Sequence, residues 1–419
     1  MMLNRSQAPA LNAIENIAFI QPEVHPLTNG THLFWRHGIF NETSKIELHF
    51  KAGSAIGQPI IASLCAGLLI SGTPKKSAKQ IQKALDALGA YYDVSITQNE
   101  AIVSLYALKD QLMDAYEVFH QSLFSASFPK KELEDLVAER RQKFLVQQEK
   151  VSFLAQREFQ RSFFAGSIYA KQIQLEDYDD ISISALKAFH DQQYLKGLIE
   201  VFVIGDLKTN EIDHLKNLLL DFQVATKNQE NHLWHNELGS IHIEQEGALQ
   251  SAIRIGRPLF NKTHPDFSDF SILNTILGDY FGSRLMSNIR EDKGYTYGIG
   301  SYLVEQQTHG YFVIGTEVGV QTRTATFIEI QNEFERLKNE MISQEELDLV
   351  KNYMLGQLLK SADGPYAMLD LFSNVHHYGL TLDFYDQLIS RIRNITPKRI
   401  QELAKRYLKW EEMLIISAG

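Results

Sequence analysis

At 419 residues, 44% hydrophobic and 22% charged, the chain has an ordinary globular composition, which excludes a disordered or collagen-like polymer. Its 51 Asp and Glu against 41 Lys and Arg leave a net charge of −10, which argues against a main role on nucleic acid or on an anionic membrane. At about 150 residues per domain the length predicts two domains or three. The lone cysteine, Cys65, rules out an internal disulfide framework and leaves any zinc site to His and carboxylate ligands. The N-terminus lacks the continuous apolar core of an export signal, and no apolar run approaches the ~18 residues of a membrane span, so cytoplasmic residence is the expectation.

Residues 1–14 read as a loose tail. Segment 44–51 (SKIELHFK) alternates, with Ile46, Leu48 and Phe50 on one face and Lys45, Glu47 and His49 on the other, as a half-buried strand does. The apolar stretch 60–70 predicts a buried helix, stopped at Ser71-Gly72-Thr73-Pro74. Ser77 caps the next helix, whose Ile81, Ala84, Leu85 and Leu88 recur at helical spacing and which Gly89 ends. Runs 92–97 and 101–108 read as strands joined by Gln98-Asn99-Glu100. Asp110 opens a helix with Leu112, Ala115, Phe119 and Leu123 on one side, and a long helix begins near Lys131. Further helices lead to 198–204, a continuous apolar strand. The polar stretch 227–238 reads as a linker. Strands follow at 240–245 and 251–257, a helix at 267–277, strands at 298–304 and 311–318, three or more helices between Arg323 and Leu408, and a closing strand at 413–416.

The two halves share this order of elements. Asp135-Leu136-Val137 recurs as Asp348-Leu349-Val350, and Tyr194-Leu195-Lys196 as Tyr407-Leu408-Lys409, both displaced by the same interval. One shift for two matches points to a duplicated α+β domain. The chain is accordingly divided into a tail (1–14), a first domain (15–226), a linker (227–238) and a second domain (239–419).

Residues 62–73 (ASLCAGLLISGT), the helix from Ser77 to Gly89 and the hairpin after it resemble the zinc-peptidase family M16, which includes insulysin, pitrilysin and the mitochondrial processing peptidase. Residues 281–301 (FGSRLMSNIREDKGYTYGIGS) resemble the signature of that family's second half. The resemblance covers the chain from about residue 25 onward. It implies two homologous α+β domains, each an antiparallel-rich sheet flanked by helices, the LuxS/MPP-like metallohydrolase fold.

The family binds zinc through an inverted motif, H-x-x-E-H. Two His four apart share a helix face and can hold one ion, and the Glu between them serves as general base. Aligned through Gly72-Thr73, the matching positions here are Ser63, Leu64, Cys65, Ala66 and Gly67. Ser63 and Gly67 replace the two His, and Ala66 replaces the base. The family's third ligand falls at or near Phe144. The resemblance therefore implies no zinc in this chain. Cys65, inside the degenerate motif, reads either as a thiol nucleophile or as a small buried apolar residue. With no His near it in sequence, the second reading is favoured. His376 and His377 are adjacent, about 100° apart on a helix, and make a poor shared site. His232 and His235, with Glu237, sit in the polar linker and read as solvated.

Arg290 and Tyr297 match the family's Arg and Tyr, set among Gly282-Ser283-Arg284-Leu285, Glu291, Lys293 and Gly294. In the family this pair reaches across to the zinc half, binds the substrate backbone and stabilises the oxyanion, a task suited to a guanidinium and a phenol. The resemblance then implies a non-catalytic subunit, inactive alone. Its partner, in a heterodimer, would be an H-x-x-E-H subunit that holds the zinc, and a peptide would be the substrate; a homodimer in the partner's absence is left open. Two alternatives stand beside it: an inactive scaffold or peptide-binding homologue, and a self-sufficient hydrolase using Cys65 or another metal site.

Overall fold

Among the described residues the first half forms six strands: β1 (Glu23–Pro26), β2 (His32–Arg36), β3 (Thr43–Phe50), β4 (Tyr91–Ile96), β5 (Ala101–Leu108) and β6 (Leu198–Ile204). They form one sheet in the order β1-β2-β6-β3-β5-β4, antiparallel except where β2 runs parallel to β6. The computed structural model describes residues 14, 17–38, 42–225 and 237–419. The tail apart from Ile14, and the linker apart from Glu237 and Leu238, lie outside the described residues, as do His232 and His235.

Among the described residues the helices of this half are α1 (Pro59–Gly67), α2 (Ala78–Ala87), α3 (Leu112–Phe124), α4 (Lys130–Gln148), α5 (Val151–Phe163), α6 (Ile183–His190) and α7 (Thr209–Leu219). Ser77 caps α2 in a capping box with Gln80, and Gly89 follows the helix at φ +61°, a conformation that suits glycine. Asp110 lies in a short 3-10 turn, and the helix proper starts at Leu112.

The second half repeats the plan. Strands β7 (Gly239–Ile243), β8 (Gln250–Leu259), β9 (Thr296–Glu305), β10 (Gly310–Gly319) and β11 (Leu414–Ala418) form a sheet in the order β7-β11-β8-β10-β9, again with one parallel pair, β7 and β11. Its helices are α8 (Phe267–Leu277), α9 (Arg323–Asn339), α10 (Gln344–Ser361), α11 (Gly364–His376), α12 (Asp383–Asn394) and α13 (Pro397–Tyr407). Two α+β units of the expected class result.

The halves exchange a helix. Helix α5 belongs to the first half but packs on β8 and β11 of the second sheet, where Ala155, Phe159 and Phe163 join Ala252, Leu414 and Ile416 in one buried cluster. Helix α11 lies on the first sheet in return: Phe372 meets Phe34 at 5.1 Å, and the Tyr366 hydroxyl donates to the Thr43 carbonyl at 2.9 Å. This second cover explains why the Lys45, Glu47 and His49 face of β3, expected to be half-exposed, is shielded, with His49 only 1% accessible.

Candidate functional site

Helix α1 starts with Pro59 in its first turn, where a missing N–H costs nothing, and buries Ile60, Ile61, Leu64 and Cys65. Ser63 and Gly67, one turn apart, therefore share its other face, toward α4. The residue of α4 that meets them is Arg140. Its Nη1 donates to the Ser63 hydroxyl, and a Cβ at position 67 would lie 2.6 Å from its Nη2 and 2.9 Å from Leu136 Cδ2. The cleft thus holds a guanidinium only because position 67 has no side chain. Burial lowers the Arg140 pKa, yet an arginine stays cationic.

Phe144, to which the sequence carried the third ligand position, lies one turn further on. It packs edge-on against Phe153 at 5.7 Å and near Tyr178 at 5.9 Å. The interval of 77 residues leads from Gly67 to Phe144 but from Ser63 to Arg140; counting from Ser63 would have found the residue that fills the cleft. A zinc ion does not fit here. Ala66 and Gly67 offer no donor, Phe144 none, and the Ser63 hydroxyl is taken by a positive charge. Nor do any two histidines of the chain stand four residues apart, so the paired-His motif cannot form elsewhere.

Cys65 is fully buried, with Sγ 3.9 Å from the Leu186 carbonyl, and burial pushes its thiol well above the usual value. A nucleophile needs the opposite environment. His190, also buried, bonds through Nε2 to the Leu123 carbonyl at 2.8 Å. The small-apolar-residue reading of Cys65 agrees with this packing.

Arg290 and Tyr297 are brought together. Arg290 lies in a π-helical turn, Met286–Asp292, that buries Met286 and Ile289 and so turns Arg290 outward. The turn is pinned from below: Arg284 grips Glu346 through two bonds of 2.8 and 2.9 Å, and the Asn288 amide donates to Glu333 at 2.7 Å. Arg290 Nε donates to the Tyr297 carbonyl at 3.0 Å, and its guanidinium sits 4.7 Å from the centre of the Phe281 ring. Phe281, part of the signature segment, is thus the ring against which the guanidinium rests. The Tyr297 ring is 94% exposed and makes no hydrogen bond or ring contact among the described residues. It overlooks a groove of about 610 Å³ on the second sheet, lined by Gln156 and Phe159 of α5, Arg254, Tyr302, Tyr311 and Glu317. Strand β9, which carries Tyr297, is an edge of that sheet.

His376 and His377 do not behave as expected. Both Nε2 atoms reach Glu200 of β6, His376 at 3.3 Å and His377 closer still. His377 is the C-cap of α11, where the chain leaves the helix, so the 100° spacing does not keep the rings apart.

Residues 35–167 match the model of the insulinase family, peptidase family M16, and residues 180–354 match that of the peptidase M16 inactive domain. The chain is similar to the "Non-peptidase homolog YmxG" of Helicobacter pylori, 24% identical over 88% of this chain and 87% of that relative. It is similar also to the "Uncharacterized zinc protease YmxG" of Bacillus subtilis, 21% identical over 81% of this chain and 83% of the relative. In fold it resembles the crystal structure of a peptidase M16 inactive domain from Pseudomonas fluorescens, with a TM-score of 0.85 at 22% identity, covering 96% of this chain and 98% of that one. A protease from Helicobacter pylori gives a TM-score of 0.82 at 17% identity over 95% of this chain and 100% of that one.

Proposed function

The chain belongs to peptidase family M16, and on that premise we propose that it is the non-catalytic subunit of a heterodimeric zinc endopeptidase. The partner would carry H-x-x-E-H and the zinc ion. This chain would supply Arg290 and Tyr297 to the shared chamber, where an extended peptide lies along a sheet edge. One observation carries the reading: Tyr297 is almost wholly exposed, yet the backbone beneath it is held in place by Arg290 and a pinned turn. No hydrogen bond or ring contact among the described residues engages that ring, which leaves it available to a group from outside the chain. A phenol hydroxyl on the groove wall, with a guanidinium bonded to its backbone, would donate well to a carbonyl oxygen that is gaining charge.

The test is reconstitution. Alone, the chain cleaves no peptide with or without added zinc. Mixed with an H-x-x-E-H relative encoded in the same genome, it gives activity that needs both chains. Tyr297→Phe or Arg290→Ala in this chain then lowers kcat by on the order of 10²-fold without unfolding it. Full activity of the partner alone overturns the proposal. A second reading, an inactive scaffold or peptide-binding homologue, draws support from the guanidinium in the α1–α4 cleft and from the "non-peptidase" name of the Helicobacter pylori relative. Under it, the Arg290→Ala/Tyr297→Phe double variant assembles and functions as the unmodified chain does.

A further inference from the structure

A second cluster lies where α11 meets the first sheet, away from the α1–α4 cleft and from the Arg290 turn. Strand β3 points Lys45, Glu47 and His49 toward α11, β6 adds Glu200, and the end of α11 adds His376 and His377. His49, Glu200 and His377 each offer one ligand atom, and these lie within 4.8 Å of one another. His49 and Glu200 are buried, while the His377 and His376 side chains keep 26% and 38% of their surface exposed, which leaves a way in from solvent.

The charges do not balance by fixed groups alone. Lys45 pairs with Glu47 and lies 4.0 Å from Asp370, whereas among the described residues the ion-pair partners of Glu100 and Glu200 are imidazoles. Positive charge to match these carboxylates can sit on the imidazoles, as protons, or between them, as a cation. His49 is prepared for either. Its Nδ1 lies 3.2 Å from Glu100 Oε2 and its Nε2 2.9 Å from Glu47 Oε1. If one nitrogen turns to an ion, the other still donates to a carboxylate, the arrangement that orients metal-bound histidines.

We infer that His49, Glu200 and His377 bind one divalent transition-metal ion and so staple α11 of the second half to the sheet of the first. Two imidazoles and a carboxylate suit Zn²⁺ better than Mg²⁺ or Ca²⁺, which demand oxygen shells. Ligand atoms about 2.0–2.2 Å from a tetrahedral zinc lie roughly 3.3–3.6 Å apart, a spacing that small side-chain rotations reach from the present one. His376, 3.3 Å from the other Glu200 oxygen, or a water completes the shell. The site is structural and independent of the role given to Arg290 and Tyr297.

The probe is Zn²⁺ titrated calorimetrically into the full chain after chelator treatment, with Co²⁺ as a spectroscopic stand-in. Expected are one tightly bound ion per chain, a visible Co²⁺ spectrum of tetrahedral nitrogen and oxygen ligation, and a rise in Tm on adding Zn²⁺. His377→Ala and Glu200→Gln, shown folded by circular dichroism, weaken binding at least about tenfold. A His232→Ala/His235→Ala variant, which removes the pair in the polar segment, binds as the unmodified chain does. The Co²⁺ spectrum of the unmodified chain needs no variant to fold. Absence of stoichiometric binding overturns the inference, as does binding lost with His232 and His235 but kept without His377. Binding that leaves Tm unchanged overturns the stapling.

Discussion

Arg140 changes what the α1–α4 cleft can hold. Its guanidinium has a hydroxyl partner in Ser63 and no carboxylate among the described residues, and it lies half-buried against Leu136 and the bare backbone of Gly67. An arginine accepts such a place because its stem packs while its charged head keeps some water. The cleft is therefore occupied, and a positive charge stands in the way of a metal ion. Arg140→Ala should lower stability by about 2–3 kcal/mol, the combined worth of a hydrogen bond from a charged donor and of the packed stem. Arg140→Met, which restores the stem without the charge, should recover roughly half of that. Urea denaturation checks both. An unchanged midpoint for Arg140→Ala would mean that the guanidinium contributes no more than a solvated surface residue.

Elements with strong local signals were legible in the sequence, and those set by distant partners were not. Strands β5 and β6 and helix α8 fall on the residues that the sequence marks, because an apolar run bounded by polar residues reports burial directly. Strands β1 and β2 were not read: β1 has only four residues, all at least partly exposed, and includes Pro26. The exchange of α5 and α11 had no local signature at all, since each helix looks alike whichever sheet it covers. Of the site, Arg290 and Tyr297 were legible through the family pattern, whereas Arg140 and Glu200 gain their partners only through packing. One contact between elements titrates. Asp266, at the start of α8, accepts from Arg399 of α13 at 2.7 Å, from Arg406 at 2.9 Å and from the Tyr407 hydroxyl at 2.6 Å. Burial alone would raise its carboxyl, but the Tyr407 hydroxyl and the two arginines hold it below the usual carboxylate range. A lowered folded-state pKa stabilises above the unfolded value of about 3.9 and is lost as pH falls through the folded one. Asp266→Asn should therefore cost about 1–2 kcal/mol at neutral pH, because Arg399 and Arg406 keep much of their surface in water and solvent screens their pairing. The variant's stability should then change less than that of the unmodified chain as pH drops below about 4. Chemical denaturation across that range reads both, and parallel pH profiles would remove Asp266 as the cause.

The reciprocal helices make the two halves one folding unit. Helix α5 runs from Val151 to Phe163 and α11 from Gly364 to His376, so both ends are displaced by the same 213 residues that separate the repeated tripeptides. The duplication thus extends to the exchanged parts: each half lends the same helix to the other. Without the second half, the first would expose Phe34 and Phe202, which α11 covers, and would present Phe159 and Phe163 of α5 with no sheet beneath them. At about 1.5–3 kcal/mol for each large apolar side chain, these few residues amount to on the order of 10 kcal/mol. That is comparable with the whole stability of a typical domain, about 5–15 kcal/mol. Neither half should therefore fold alone. A protease site inserted after Asn231, in the polar stretch between the halves, provides the test. Cut after folding, the two fragments should remain together on size exclusion as a 1:1 complex with unchanged circular dichroism, and should unfold in one transition. Expressed separately, each should aggregate; expressed together, they should reassemble. Fragments that part on cleavage and unfold independently would mean that the exchanged helices merely rest on the opposite sheets. The covalent join at 227–238 would then be what holds the chain's two domains together.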